Sequence, residues 1–183
     1  VVPYAEEILR FLDHRDGEDP LRLYAERSRE LIGLQRQFEE TGNYPASCYA
    51  DVRPIDRERY NASLLLSFVT THHRFEILQQ LVQFLGSATE GPRRLLAVGV
   101  GTGYEIKLAY DHLRDWEVVA FDTSRESLQY AADLLSLFGY SAEGLRCEKF
   151  PLERGGDLEK YEDSFEKVIL CEVLEHLEDT EAA

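Results

Sequence analysis

The first half of the chain reads as a series of helices, because apolar residues recur three or four positions apart. A first helix is predicted over Tyr4–His14. Its apolar positions fall on one face: Ile8, Phe11 and Leu12. Asp19 as N-cap and Pro20 in the first turn begin a second helix, which continues through Glu40.

Two further helices are predicted before the first strand. Asp56 is a candidate cap for a third helix that contains the apolar run 64–69, and a fourth helix ends at Gly86. The neighbouring His72 and His73 point to different faces of a helix, so they are not expected to share a metal ion. We expect one of them to be partly buried and the other to face solvent.

The second half alternates between apolar strands and helical segments. Continuous apolar runs, rather than alternating ones, are typical of parallel strands that are covered on both faces. Four strands are predicted: Leu95–Val98, Trp116–Phe121, Leu145–Phe150 and Val168–Leu170. The pattern predicts an α/β fold with a doubly wound, mainly parallel sheet and an N-terminal helical extension.

The loop after the first strand carries three glycines at alternating positions, Gly99, Gly101 and Gly103. Glycines at a strand end let the backbone turn sharply and come close to a ligand. The dinucleotide fingerprint is G-x-G-x-x-G. Here the third glycine comes one residue early and Tyr104 stands in its place, which weakens the alternative of a nicotinamide oxidoreductase.

A carboxylate ends the second strand at Asp122. Its two oxygens could accept hydrogen bonds from both hydroxyls of a ribose. Thr123 and Glu126 form a T-x-x-E capping box for the next helix. We therefore expect Thr123 to cap that helix and Asp122 to remain free for a ligand.

These features, with the string S-F-E-K-V-I-L-C-E-V-L-E-H-L at 164–177, resemble the motifs of class I, Rossmann-like S-adenosylmethionine-dependent methyltransferases. The resemblance implies S-adenosylmethionine as cofactor. It also implies that residues 1–90 form a helical cap or substrate region and that residues 91–183 form the cofactor-binding domain. The implied cofactor-binding residues are Gly99, Val100, Gly101, Thr102, Gly103, Asp122, Thr123, Glu153 and Cys171.

Two positions depart from the family pattern. Ala97 stands where the family usually carries an acidic residue that orders the loop. The acidic residue expected near the adenine is assigned to Glu153, with Glu148 and Asp157 as alternatives, and each is equally compatible with a solvated surface charge. The family sheet has seven strands and only four are predicted here, which favours a sheet truncated after the fourth strand in a piece of a longer protein.

Candidate catalytic residues follow the fourth strand. The reference pKa of histidine lies near neutrality, so His176 could act as general base, or it could be a solvated residue at a helix start. Glu172 could orient the substrate. The string E-x-x-E-H also resembles the metal-binding string of RNA 2′-O-methyltransferases, so a metal-dependent RNA enzyme is an alternative; no metal is otherwise expected.

The net charge is −15, and no cluster of Lys and Arg is present that could displace counterions from a polyanion. We therefore expect a small-molecule substrate, methylated on O or N, and no nucleic acid. No apolar run is long enough to cross a membrane. The three cysteines have no C-x-x-C spacing, which indicates the cytoplasm. A catalytically degenerate methyltransferase-like binding domain is the main alternative, and the oligomeric state is left open.

Overall fold

The computed structural model describes residues 2–15, 19–43, 54–88, 90, 91, 93–147 and 161–173. It divides into two compact units, Val1–Phe75 and Glu76–Ala183. The first unit contains helices and the second contains a sheet with its own helices.

The first unit contains helices α1 (Val2–His14), α2 (Pro20–Thr41) and α3 (Pro54–Thr70). The predicted apolar face of α1 is confirmed, since its buried residues are Ile8, Phe11 and Leu12. Asp19 caps α2 as predicted, because its side chain accepts a hydrogen bond from the backbone N–H of Leu21. The predicted cap at Asp56 is wrong, since α3 begins two residues earlier at Pro54, whose fixed φ suits a first helical turn.

Polar contacts join α3 to both other helices of this unit. Arg15, just after α1, pairs with Glu58 on α3 at 2.8 Å. On α2, Glu30 pairs with Arg59 of α3 at 2.9 Å. Such part-exposed pairs contribute little individually, so the buried apolar residues carry most of the stability of this unit.

Helix α4 (His72–Gly86) ends where the sequence predicted. The prediction that one of its two histidines is partly buried is wrong, since His72 and His73 are both exposed. Arg74 takes the buried position instead, with its guanidinium 4.6 Å from the ring centroid of Phe68. An arginine can bury its stem and stack its planar head on an aromatic ring, whereas the sequence pattern alone marks it as polar.

The second unit is built on a four-stranded parallel sheet in the order β3-β2-β1-β4, which confirms the predicted fold class. The strands are β1 (Arg94–Val98), β2 (Glu117–Asp122), β3 (Leu145–Cys147) and β4 (Lys167–Ile169). Helices α5 (Tyr104–His112) and α6 (Arg125–Leu137) follow β1 and β2. Apolar residues in and just after α5 are buried: Ile106, Leu108, Ala109 and Leu113.

Both faces of the central strands are buried, as continuous apolar runs predict. The burial pattern of β1 is uninterrupted from Leu95 to Val98. One face forms a cluster of Leu96, Val98, Val119 and Phe121. Partly buried apolar residues pack on that cluster: Tyr161, Phe165, Leu170 and Val173. Part of this packing therefore comes from the segments on either side of β4.

Strand β4 departs from its predicted character. The sequence places the strand on the apolar residues Val168–Leu170, but the hydrogen-bonded strand is Lys167–Ile169. Lys167 is 1 % exposed, whereas Val168 is 45 % exposed. Polarity therefore fails as a guide to burial here, because the Lys167 side chain finds acceptors at the end of α4.

Candidate active site

The order of the strands reverses at β1, which pairs with β2 on one side and with β4 on the other. Ligands of open α/β sheets bind at such a switch point, outside the carboxyl ends of the strands. Residues 99–103 follow the carboxyl end of β1, and residues 170–173 follow that of β4. These two segments therefore define the candidate site.

The three glycines of residues 99–103, which we call the glycine loop, all have positive φ, at 78°, 52° and 79°. Their surroundings differ. A Cβ at Gly99 would collide with Cγ2 of Val173, and one at Gly103 would lie 2.5 Å from Cβ of Ala131. Among the described residues, a Cβ at Gly101 would meet nothing within 4 Å. Gly99 and Gly103 are thus required by packing, while Gly101 borders open space.

The other two residues of the glycine loop are buried. Val100 is 2 % exposed and Thr102 is 1 % exposed. Among the residues that the structure describes, no hydrogen-bond partner lies within reach of the Thr102 hydroxyl. A buried hydroxyl without a partner is costly, so a polar ligand group that reached the Thr102 hydroxyl would be stabilised by a hydrogen bond to it.

Asp122 lies at the end of β2 and its carboxylate contacts the glycine loop directly. Oδ2 accepts the backbone N–H of Val100 at 2.9 Å and that of Gly101 at 3.2 Å. Oδ1 accepts the N–H of Ser124 at 2.7 Å. Contrary to the expectation of a free carboxylate, Asp122 is already engaged by three backbone donors.

The predicted cap of α6 is corrected by one residue. The N-cap is Ser124, whose hydroxyl accepts the N–H of Ser127 at 3.1 Å, and Thr123 is an exposed residue before it. Ser124 Oγ also donates to the Glu126 carboxylate at 3.1 Å. Thr123 and Ser124 both carry a hydroxyl that could cap α6. The turn in which Asp122 accepts the N–H of Ser124 places Ser124, rather than Thr123, at the N-cap position.

The segment after β4 reaches the glycine loop through Val173, whose side chain stands against Gly99. Cys171 is half-buried, and Glu172 is exposed with a φ of 52°. A left-handed conformation is unfavourable for a glutamate, and strained residues of this kind concentrate at functional sites. Both residues lie at the carboxyl end of β4, as the sequence predicted, while His176 and Glu153 lie outside the described residues.

A family model described as a methyltransferase domain matches residues 70–183, which is more than half of the chain. The chain belongs to the class I S-adenosylmethionine-dependent methyltransferase family. No curated protein matches it. The matched region of this methyltransferase begins at the last residue of α3, so it includes α4 as well as the sheet.

The residues of this methyltransferase fit the cofactor that the family generally uses, S-adenosylmethionine. Gly101 leaves open space at the switch point, and Thr102 offers a buried hydroxyl beside it. Asp122 retains acceptor capacity, because a carboxylate has about four lone-pair sites and three are used. The assignments of the glycine loop, Asp122, Thr123 and Cys171 as cofactor-binding residues stay predictions.

Sequence reasoning missed the two side chains that shape the loop from outside, Val173 and Ala131. Both are apolar residues distant in sequence from the loop, and only the spacing of Gly99 and Gly103 hinted that something must approach them.

In the part of the chain that the structure describes, no group of three or more His, Cys, Asp or Glu could hold a metal ion. Within the same residues, no helix has the length and apolarity of a membrane span.

Proposed function

We propose that this chain is an S-adenosylmethionine-dependent methyltransferase that acts on a small-molecule acceptor by O- or N-methylation. The observation that carries the proposal is the opening at Gly101. Among the described residues, a Cβ added to this glycine would have no neighbour within 4 Å. The glycine follows β1, where the strand order reverses, and ligands of open α/β sheets bind at this place.

The chemistry requires alignment more than a dedicated reactive side chain. The bound cofactor supplies a methyl group already activated by a sulfonium, and its transfer is a displacement. This chain's residues must hold the reacting atoms in line, exclude water and, for some acceptors, remove a proton. The packed segment from Cys171 to Val173 is the part of the described site that we assign to this positioning.

We propose Glu172 as the residue that orients the acceptor, and His176 as the general base. The carboxylate of Glu172 is exposed at the carboxyl end of β4, and its left-handed backbone sets the direction in which the segment leaves the strand. Replacing Glu172 with glutamine is expected to raise KM or lower kcat at least tenfold without changing cofactor affinity.

The strongly acidic chain supports a small, uncharged or cationic acceptor rather than RNA. We also propose the cytoplasm as the compartment, because the three cysteines of the chain have no C-x-x-C spacing.

Calorimetry with S-adenosylmethionine and S-adenosylhomocysteine tests the cofactor, and release of S-adenosylhomocysteine over a panel of phenols, catechols, amines and carboxylic acids tests the acceptor. We expect micromolar binding of both cofactor forms and turnover with at least one acceptor. If neither form binds, the proposal is overturned. Binding of both forms without turnover over the panel, with and without Mg²⁺, would instead support a degenerate binding domain.

A further inference from the structure

Negative charge predominates in the segments that border the candidate site. Glu105 lies in the first turn of α5, directly after the glycine loop, and Glu172 is exposed after β4. Neither residues 99–106 nor residues 168–173 contain a lysine or an arginine. The sequence from 168 to 183 contains five acidic residues and, again, no lysine or arginine. The charge that these segments contribute favours a cationic ligand over an anionic one.

The two lysines nearest to these segments in the sequence are engaged within the fold. Lys107 is buried in α5, where its ammonium lies 2.8 Å from the Asp111 carboxylate and 4.7 Å from the ring centroid of Phe138. Lys167 is buried as well, and it donates hydrogen bonds to carbonyl oxygens at the end of α4. Neither ammonium group is therefore available to bind an anionic acceptor.

Glu172 carries its carboxylate at a backbone cost. Its φ of 52° is left-handed, a conformation that favours glycine or asparagine. The next residue, Val173, stands against Gly99 of the glycine loop, so this segment is held at the site. Strained residues persist where the surrounding structure holds them, and they concentrate at functional sites. What the glutamate adds at such a position is a negative charge.

The charge that develops during methyl transfer distinguishes nitrogen acceptors from oxygen acceptors. When a neutral amine attacks, the N–C bond forms as the C–S bond breaks, and the positive charge moves from sulfur to nitrogen. A carboxylate beside that nitrogen stabilises the transition state. When a phenolate or carboxylate oxygen attacks, the acceptor is an anion, and a neighbouring carboxylate disfavours its ionised form.

We propose that the acceptor is a small primary or secondary amine, and that Glu172 provides the counter-charge for its nitrogen. The amine binds as a cation beside Glu172, loses one proton to the general base and attacks the methyl carbon. The products are the methylated ammonium ion and S-adenosylhomocysteine. This inference rests on the proposed function, since it names the acceptor of the same site.

Acceptors that carry both an amine and a phenol test the substrate class. Tyramine, dopamine and 3-hydroxybenzylamine are supplied with S-adenosylmethionine, beside 2-phenylethylamine and 4-ethylphenol, which carry one group each. We expect mass spectrometry to find the methyl group on nitrogen, and 2-phenylethylamine to exceed 4-ethylphenol at least tenfold in kcat/KM. Transfer to oxygen would overturn the amine assignment and leave the proposed function standing. No transfer to any of these compounds would overturn both.

Glu172→Gln removes the charge and keeps the size of the side chain. For the amine with the highest turnover, KM should rise at least tenfold, while affinity for S-adenosylhomocysteine stays within twofold. Glu172→Asp keeps the charge and should retain more of the amine affinity. Glu162→Gln is the matched control, since Glu162 is exposed and precedes the amino end of β4. Equal KM values in Glu172→Gln and Glu162→Gln would overturn the role of Glu172.

Ionic strength gives a second measurement that needs no variant. Raising the salt concentration from about 50 mM to about 500 mM screens an exposed charge pair, so KM for the amine should rise severalfold in the natural chain. In Glu172→Gln the same change should have little effect. This result stays decisive if Glu172→Gln fails to fold, because a KM that does not respond to salt in the natural chain would overturn the counter-charge.

Discussion

The ammonium group of Lys167 lies 2.5 Å from the carbonyl oxygen of Phe84, so strand β4 is hydrogen-bonded to the last turn of α4. Lys167 also donates to Ser87, to its carbonyl at 3.2 Å and to its hydroxyl at 2.7 Å. The ring centroid of Phe84 lies 4.5 Å away. A cation at the C-terminus of a helix interacts favourably with the helix dipole, and here the cation comes from the sheet.

Replacing Lys167 with methionine keeps most of the side-chain volume but removes three hydrogen bonds and the charge. We expect the free energy of unfolding to fall by about 1–3 kcal/mol, since the acceptors at Phe84 and Ser87 lose the charged donor that the buried Lys167 supplies. Urea denaturation measures this. The control is Val168→Thr on the exposed side of the same strand, which should change stability by less than about 0.5 kcal/mol. A Lys167→Met chain as stable as the control would contradict the prediction.

Burial lowers the pKa of Lys167, and the neighbouring Glu166 only partly opposes that effect. The unfolded chain therefore binds the proton more tightly than the folded one. Between the lowered pKa and the unfolded value of about 10.4, the unfolded state carries more protons, so stability rises with pH. The contribution is lost as pH falls through the folded pKa.

Urea denaturation of the natural chain and of Lys167→Met between pH 8 and pH 11 isolates this group. The difference in unfolding free energy should grow in favour of the natural chain as pH rises through that window. A constant difference over the whole range would show that the pKa of Lys167 is the same in both states.

Gly101→Ala separates ligand binding from folding. Its Cβ meets nothing within 4 Å in the part of the chain that the structure describes, so the variant should fold with a loss of about 1–2 kcal/mol from its left-handed backbone. The new methyl group would stand in the open space of the site, and we expect affinity for S-adenosylhomocysteine to fall at least tenfold. Calorimetry measures the affinity, and thermal denaturation checks the fold.

Gly139→Ala is the matched control for that variant. Gly139 has a φ of 79°, and no described residue lies within 4 Å of an added Cβ, but it follows α6 and lies outside the candidate site. The two variants should lose similar stability and differ in affinity. Equal affinities would place the ligand elsewhere.

Gly103→Ala should instead damage the fold. Its Cβ would lie 2.5 Å from Cβ and 2.8 Å from Cα of Ala131, so α6 would have to move. Overpacking and the left-handed backbone together should cost about 2–5 kcal/mol. Adding Ala131→Gly removes one of the two clashes, and denaturation of the double variant should recover part of the loss. No recovery would show that the backbone strain dominates.

The sequence predicted the elements whose patterns depend on near neighbours. The apolar face of α1, the cap at Asp19 and the strand–glycine–helix unit around Gly99 are encoded within a few residues, and the structure confirms each. The parallel sheet was predicted from the alternation of strands and helices, whereas the order of its strands was not.

The features that the sequence did not predict depend on residues far apart in the chain. Lys167 is buried because Phe84 and Ser87 lie beside it, more than 75 residues away in sequence. The use of Ser124 rather than Thr123 as the cap depends on how Asp122 turns the backbone. The engagement of Asp122 itself follows from the path of the glycine loop, which composition and spacing do not specify.

The unequal surroundings of the three glycines mean that they would tolerate evolutionary change differently. A homologue that lost Gly99 or Gly103 would need a compensating smaller residue at the position of Val173 or Ala131. A homologue that lost only Gly101 would need none, and it could persist as a well-folded protein that has ceased to bind its ligand. If Gly101 borders the cofactor as proposed, a single substitution at that position would distinguish inactive descendants of this domain from active ones.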